Sequence, residues 1–349
     1  MRRSPMPRLI ALIAAAFFSG AANCQEFDRS LFIRLASSLV KIEALSSDGT
    51  LSLGTGVTVA PGRVATNCHV TRNAATITML RGGLRWRVMG QSANVARDLC
   101  LLHAPRLDAL PAPIGKASAL KLGQQVGAIG FEGGVGIQFR QGRVTSMHRH
   151  DGGRVLRTST PFTSGASGGG LFNATGELVG LLTFRQRGTD GSYFSVPIEW
   201  LGASNAGDMN YTAIAPLEAT LKAFWQHTTD ALPYFMQANS LAVDKKWVPL
   251  LQLTDRWGNA ERENVEPWII RASAYDVLAR PDEAINAFEE ALKRDPHSHE
   301  AWLGLGRIYA KSGDEQKFRH MQENLQRLNP DLAAELAKEP PSKSPSSNP

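Results

Sequence analysis

One serine stands in a run of small residues with little side-chain chemistry of their own: Ser167, in the stretch TSGASGGGLF at residues 163–172. A serine hydroxyl is a poor nucleophile until a base removes its proton, so Ser167 would need an imidazole within hydrogen-bonding distance. The sequence offers His69 in ATNCHV and, further along, Asp98 in ARDLCLL. An aspartate can hold the imidazole in the correct tautomer and stabilise its cation. These residue types predict nucleophilic catalysis, with His69 as base, Asp98 as its partner and Ser167 as nucleophile.

The motif GASGG fits two unrelated kinds of nucleophile site. In an α/β-hydrolase, the serine of G-x-S-x-G lies between a strand and a helix, and its acid and histidine follow it in the chain. Here Ser167 is followed by a turn, GGLFNATG, and then by a strand, ELVGLLTF. No helix is predicted to begin at the serine, so the order His, Asp, Ser on a β protein is favoured.

The segments around these three residues are predicted to form β structure. From Ser38 to about Pro197 the chain consists of short alternating or apolar runs that are broken by Gly, Pro and Asn, such as LVKIEA, TGVTVA, ATITML, LRWRVM and SYFSVPI. Many short strands with frequent turn signals indicate an all-β sandwich or barrel.

Six segments of this β region occur in the order typical of one family. They are GTG at 54–56, TNCHV around His69, DLCLL at Asp98, VGAIGF at 126–131, QGRVTS at 141–146 and GELVGLL at 176–182. With TSGASGGGLF they resemble the trypsin-like serine proteases, and within them the HtrA group, over roughly residues 36 to 200. The resemblance implies a double β-barrel and a serine endopeptidase that acts on polypeptide substrates without a cofactor.

The resemblance also assigns roles around Ser167. The backbone N–H groups of Gly165 and Ser167 would form the oxyanion hole, for which glycine is suited because its backbone can adopt angles closed to other residues. The pocket for the side chain before the scissile bond would be lined by six residues: Phe162, Thr163, Ser164, Thr183, Phe184 and Arg185.

Two positions depart from relatives of the digestive type. Ala166 precedes the serine where those enzymes have Asp, so activation by a newly formed N-terminal amine is not expected. Pro161 stands where a trypsin-like pocket carries Asp. A small or medium apolar side chain is therefore expected in the pocket rather than Lys or Arg.

After residue 205 the composition changes to Ala, Leu, Glu and Lys at helical spacing. Trp268 recurs as Trp302 and Tyr275 as Tyr309, a period of 34 residues that resembles the tetratricopeptide (TPR) repeat. Two repeats are clear, and a third, earlier one is expected around Tyr234. An unrelated helical bundle is the alternative. The repeats take the place of the PDZ domain that usually follows an HtrA protease, and they predict a protein or peptide partner, or a second copy of this chain.

The expected organisation has five parts. Residues 1–22 have the basic start, apolar stretch and small residues of a signal peptide, so we expect export to the periplasm or beyond, with cleavage after Ala22 favoured over Cys24. A protease domain at 27–205, a linker at 206–229, TPR-like helices at 230–335 and a disordered tail at 336–349 follow. We expect the helical part to contact the β domain only near residues 201 to 229 and to fold separately.

Charge and cysteines limit the other possibilities. The predicted signal peptide holds three arginines and no acidic residue, so its removal lowers the formal net charge from +6 to +3. A charge of this size gives little reason to expect nucleic-acid binding. Cys68 and Cys100 should lie close together; a disulfide and two separate buried thiols remain equally open.

HRHD at 148–151 fits no metal site well, so no metal is expected and a solvated hairpin is predicted there. A TPR adaptor with an inactive protease-like domain is the alternative function.

Overall fold

The structure, a computed structural model, describes residues 29–186, 192–202 and 210–342. The predicted signal peptide and its cleavage sites lie outside these residues, as do residues 343–349 of the predicted tail. In the described ranges the strands precede the helices, apart from two short helices within the β domain, so the predicted class, an all-β domain followed by an all-α one, is confirmed.

The first half of the β domain is a seven-stranded antiparallel sheet with the order β5-β4-β1-β2-β3-β7-β6. It follows a short helix, α1 (Arg29–Ala36), and includes another, α2 (Cys68–Thr71), after its third strand. Apolar residues that alternate along the strands, such as Val40 and Ile42, are fully buried in its core. The strands are β1 (Leu39–Leu45), β2 (Leu51–Ala60), β3 (Arg63–Thr66), β4 (Thr76–Arg81), β5 (Leu84–Arg87), β6 (Gly90–Asn94) and β7 (Leu99–His103).

The second half is a closed barrel with the order β10-β13-β12-β11-β8-β9. Its β12 reads LVGLLTFRQ, and its first seven residues are buried, because both of its faces are covered. The strands are β8 (Gln125–Glu132), β9 (Gly136–His150), β10 (Gly153–Thr158), β11 (Gly170–Asn173), β12 (Leu178–Gln186) and β13 (Ser192–Pro197). Single 3-10 turns lie at Ala117–Ala119, Ile198–Leu201 and Thr229–Ala231.

The helical part consists of three consecutive helix pairs and a last short helix. Pairing of neighbours in the chain is what a helical repeat requires, since one pair cannot bury its own apolar face. Ala272 and Gly306, the small residues of the predicted repeat, are both buried. The helices are α3 (Tyr234–Val243), α4 (Trp247–Ala260), α5 (Glu266–Val277), α6 (Pro281–Arg294), α7 (His299–Ser312), α8 (Glu315–Leu328) and α9 (Pro330–Leu336). Among the described residues no helix is long and apolar enough to cross a membrane.

The helical part packs directly on the closed barrel, so the prediction that it contacts the β domain only near residues 201 to 229 is wrong. Phe235 and Trp257 of the first helix pair share one apolar cluster with Phe184 and Phe194 of the barrel. Polar contacts support this interface: the Gln186 side-chain amide donates to the Met236 carbonyl at 3.1 Å, and Asn329 donates to the Leu122 carbonyl at 2.9 Å.

The HRHD segment lies at the turn from β9 to β10, so the predicted hairpin is present, but its two histidines are covered by the helical part and the prediction that they are solvated is wrong. His148 is 8% exposed, stacks on Phe235 at 4.5 Å and bonds Glu266 of α5 through Nδ1 at 2.8 Å. His150 packs against Phe224 at 4.7 Å, and burial lowers its pKa below the ordinary histidine value. The alternation of these histidines along β9 places both on the face that the helices cover.

Candidate active site

His69 and Asp98 form a hydrogen-bonded pair on the first sheet. The His69 Nδ1 atom lies 2.6 Å from Asp98 Oδ2, and the His69 backbone N–H donates to Asp98 Oδ1 at 2.8 Å. The Asp98 side chain is 1% exposed and the His69 side chain 23% exposed. Asp98 has a φ of 55°, a left-handed conformation that Asp tolerates better than most residues. The imidazole is therefore fixed on its Nδ1 side, while part of the ring still reaches solvent.

Strand pairing and a disulfide bring the two segments together. Thr66, at the end of β3, pairs with Cys100 of β7. His69 follows β3 after two intervening residues, and Asp98 directly precedes β7. Cys68 and Cys100 are bonded, with their Cα atoms 4.9 Å apart. Asn67 adds a further link, because its side-chain amide donates to the Asp98 carbonyl at 2.9 Å.

Ser167 lies in a tight loop that leads into β11. Gly165 and Gly168 have φ values of 93° and 82°, which favour glycine, and neither has room for a side chain. A Cβ on Gly165 would lie 2.4 Å from the Phe131 carbonyl oxygen, and one on Gly168 would lie 2.2 Å from Thr66 Oγ1. The serine loop therefore packs closely against Thr66, the last residue of β3, three residues before His69.

The Ser167 hydroxyl contacts the Thr183 carbonyl of β12 at 3.5 Å. Within the described part of the chain, no hydrogen bond joins this hydroxyl to His69. Asn67 connects the His69–Asp98 pair to the residue that Ser167 contacts. Its side-chain amide donates to the Asp98 carbonyl and also to Thr183 Oγ1 at 3.2 Å. Catalytic hydrogen bonds are often long before substrate binds, so this geometry agrees with a serine and a base on facing segments.

Thr55, the central residue of GTG, holds the serine loop in place. It is fully buried, and its hydroxyl donates to the Gly165 carbonyl at 2.7 Å and accepts from Phe131 N–H at 2.8 Å. Its own N–H donates to the Ser167 carbonyl at 2.8 Å. The Gly133 N–H donates to the Ser164 carbonyl at 2.8 Å. These bonds hold three carbonyls of the loop, those of Ser164, Gly165 and Ser167.

The N–H groups of Gly165 and Ser167 belong to this loop. Over the ranges that the structure describes, neither donates a hydrogen bond to the protein. Backbone donors that are held in position and have no partner can stabilise an anion. The loop can therefore supply the two donors that the sequence predicted for an oxyanion hole.

The six residues predicted to line the substrate pocket are not equivalent in the structure. Thr163, Ser164 and Arg185 are exposed, whereas Phe162 is buried against Tyr193, with ring centroids 5.3 Å apart. The Thr183 side chain is 1% exposed and its hydroxyl donates to the Leu181 carbonyl at 2.7 Å, so it faces the interior.

Phe184, the remaining pocket residue, lies between two rings: Phe194 at 4.8 Å and Trp225 at 5.1 Å. Trp225 was not among the site residues predicted from the sequence, and it lies in the predicted linker. Its Nε1 donates to Asp98 Oδ2 at 3.0 Å. The aromatic pair Phe224 and Trp225 in an otherwise polar stretch, TLKAFWQHTTD, was the available signal that this segment docks on the protein.

Comparison with known proteins agrees with this architecture. Residues 54–181 match the family model described as "Trypsin-like peptidase domain", and residues 271–336 match one described as "Tetratricopeptide repeat". The chain is therefore similar to trypsin-like peptidases over the β domain and to TPR proteins over the last helices.

The curated relatives include proteins named as DegP-like endoproteases, in agreement with the resemblance found in the sequence. A "Probable periplasmic serine endoprotease DegP-like" of Pseudomonas fluorescens is 33% identical over 159 residues, which are 42% of this chain and 33% of that protein. "Serine protease Rv3671c" of Mycobacterium tuberculosis is 27% identical over 157 residues, 42% of this chain and 39% of that protein. The chain thus spans about a third of the length of these relatives.

A solved structure of the Rv3671c protease in its active form superposes with a TM-score of 0.51 at 21% identity, covering 64% of this chain and all of that chain. At 21% identity the superposition shows a similar fold and nothing further. The family match and the superposition agree that the β domain is similar to trypsin-like peptidase domains. The particular combination in this chain is that domain followed by TPR helices.

Proposed function

We propose that this protein is an exported serine endopeptidase that hydrolyses peptide bonds with Ser167, His69 and Asp98, and that its TPR helices bind a protein or peptide. The observation that carries the proposal is the buried Asp98 bonded to His69 Nδ1 at 2.6 Å, beside a serine loop with two available N–H donors. A carboxylate in this position fixes the tautomer whose Nε2 can accept a proton.

The reaction would proceed in two halves. Ser167 Oγ attacks the scissile carbonyl carbon while His69 Nε2 takes the hydroxyl proton, and the carbonyl oxygen becomes an oxyanion between the N–H groups of Gly165 and Ser167. His69 then gives its proton to the leaving amine, and the C–N bond breaks to leave an acyl-enzyme. Water, deprotonated by His69, attacks the ester, and collapse of the second oxyanion returns the proton to Ser167 Oγ.

The substrate would be an extended polypeptide, as expected for relatives named as endoproteases. The absence of an acid at Pro161 favours a small or medium apolar side chain before the scissile bond over Lys or Arg. The relatives named as periplasmic and the leader-like residues 1–22 support export. The TPR match supports a protein partner, which a second copy of the chain could supply.

A fluorophosphonate probe tests the proposal directly, because it labels only a serine whose proton has a base. Wild type should be labelled and should cleave casein, whereas Ser167→Ala should be unlabelled and inactive while its circular dichroism stays unchanged. His69→Ala should be equally inactive, since the residues act as a unit and their losses do not add. Ser118→Ala, an exposed serine outside the site, is the matched control and should behave like wild type.

The alternative is a TPR adaptor whose peptidase domain is inactive. One observation favours it: the Ser167 hydroxyl contacts the Thr183 carbonyl and not the imidazole. A folded wild type that neither labels nor cleaves casein would establish this alternative and exclude the endopeptidase.

A further inference from the structure

Trp225 contacts three residues of the site. Its indole Nε1 donates to Asp98 Oδ2 at 3.0 Å. Its ring meets His69 edge-on, with centroids 5.4 Å apart and an angle of 87° between the planes. It also stacks on Phe184 at 5.1 Å and 13°. A single side chain thus touches the acid, the base and a residue of the predicted substrate pocket.

The Asp98 carboxylate depends on few donors. Oδ1 accepts from the His69 backbone N–H, and Oδ2 is shared by His69 Nδ1 and Trp225 Nε1. In the described residues no Lys or Arg forms an ion pair with Asp98. A carboxylate that is 1% exposed needs every hydrogen bond it can accept, because an unpaired buried charge is costly. Among the described donors, the indole is the one that does not come from His69.

The indole is held by a strap, which we define as residues 210–226. Thr212 pairs with Gln91 at the start of the strap, and the Phe224 N–H donates to the Ala96 carbonyl at 2.9 Å near its end. Ala96 lies two residues before Asp98. The strap is therefore fixed to the segment that carries the acid, one residue before Trp225.

Arg72 fixes the middle of the strap. Its carbonyl accepts the Leu217 N–H at 2.7 Å, and its guanidinium donates to the carbonyls of Ala219 at 2.9 Å and of Leu221. Arg72 directly follows α2, the helix that carries His69. The strap is thus also bound to the segment that carries the base.

We propose that Trp225 is a positioning residue for catalysis: its indole N–H orients the Asp98 carboxylate toward His69, and its ring closes the side of the pair to water. This rests on the proposed function. Trp225 lies outside the segment that matches the peptidase family model, residues 54–181, so the chain between the two domains completes the site. The proton of Trp225 is not transferred; the residue acts through Asp98.

Trp225→Phe tests the proposal, because it keeps an aromatic ring and removes the N–H. We expect kcat to fall about ten- to a hundredfold, as for the loss of one hydrogen bond to a charged group, with KM nearly unchanged. With less of the charge on Oδ2 neutralised, protonated His69 is favoured, so the acid limb of the kcat/KM profile should move to higher pH. In ¹⁵N-labelled protein the His69 Nδ1–H proton resonance should shift as well.

Trp257→Phe is the matched control. Its indole Nε1 also donates to a carboxylate, Glu261 Oε2, at 2.9 Å, but in the helical part. It should lower stability without moving kcat, the acid limb or the resonance. If Trp225→Phe does not fold, Arg72→Lys keeps the charge and loosens the strap, and its acid limb should move in the same direction.

A failure of the role proposed for Trp225 can be distinguished from a failure of the proposed function. If wild type reacts with the fluorophosphonate probe but Trp225→Phe matches Trp257→Phe in kcat, acid limb and resonance, the role of Trp225 is refuted and the proposed function stands. If wild type does not react, the proposed function fails, and the Nδ1–H resonance of Trp225→Phe still decides whether the indole orients the pair. An unshifted acid limb in Arg72→Lys would likewise refute the role of the strap.

Discussion

Replacing Thr55 with valine should loosen the serine loop without changing the shape of the core. Valine matches threonine in size but can neither donate nor accept a hydrogen bond. The substitution removes the bond to the Gly165 carbonyl at 2.7 Å and the bond from the Phe131 N–H at 2.8 Å. Thr55 is fully buried, so water cannot readily take over either partner.

The size of the effect follows from these two bonds. A buried polar group left without a partner costs about 1–3 kcal/mol, and the buried methyl group of valine offsets about 1 kcal/mol. The free energy of unfolding should therefore fall by about 3 kcal/mol. The Gly165 peptide would lose one restraint on its orientation, so kcat should fall by about tenfold or more, toward the loss seen when an oxyanion donor is removed.

Urea denaturation and casein hydrolysis would measure the two effects. Thr58→Val is the matched control, since Thr58 is fully buried on the same strand and its hydroxyl has no partner among the described residues. That variant should keep or raise the stability and leave kcat unchanged. Thr55→Ser retains the hydroxyl and should retain most of the activity. Equal stability and equal kcat for Thr55→Val and Thr58→Val would show that Thr55 does not hold the loop.

Two further predictions concern stability. Replacing both Cys68 and Cys100 with alanine should lower the free energy of unfolding by about 3–4 kcal/mol, because the bond closes a loop with a sequence separation of 32; a reductant should lower the Tm of wild type and leave that of the variant unchanged. Burial lowers the pKa of His150, so the unfolded chain binds a proton that the native protein does not, and stability should be lost as pH falls below about 6.5. His150→Phe should reduce the difference in Tm between about pH 7.5 and about pH 5.5, and an unchanged difference would contradict this role.

The strands and the helical repeat were predictable because their signals are local. Alternation in LVKIEAL predicts a strand with one buried face, and β1 has that pattern. The recurrence of Trp268 as Trp302 predicts paired helices, and α5 and α7 begin close to those residues. The candidate site was accessible for a different reason: His69, Asp98 and Ser167 each lie in a short motif whose order resembles that of one family.

The contacts between distant segments could not be predicted in this way. HRHD is polar, and nothing in its own sequence says that Phe235 and Glu266 cover it. Trp225 lies 127 residues from the aspartate to which it donates. Such contacts depend on how one domain packs on another, and neither periodicity nor turn chemistry carries that information.

Packed aromatic rings connect the first helix pair to the strap. The strap ends at Gln226, and α3 begins at Tyr234 and buries Phe235 against the barrel beside Phe194, which in turn stacks on Phe184. Phe184 is the ring on which Trp225 rests. A continuous line of packed rings therefore runs from the first TPR-like helix to the side chain that bonds Asp98. Because packed cores shift between discrete arrangements rather than deform smoothly, a displacement of α3 would pass through Phe194 and Phe184 before it reached Trp225. These rings give the helical part a packed connection to Trp225 and, through its indole N–H, to Asp98.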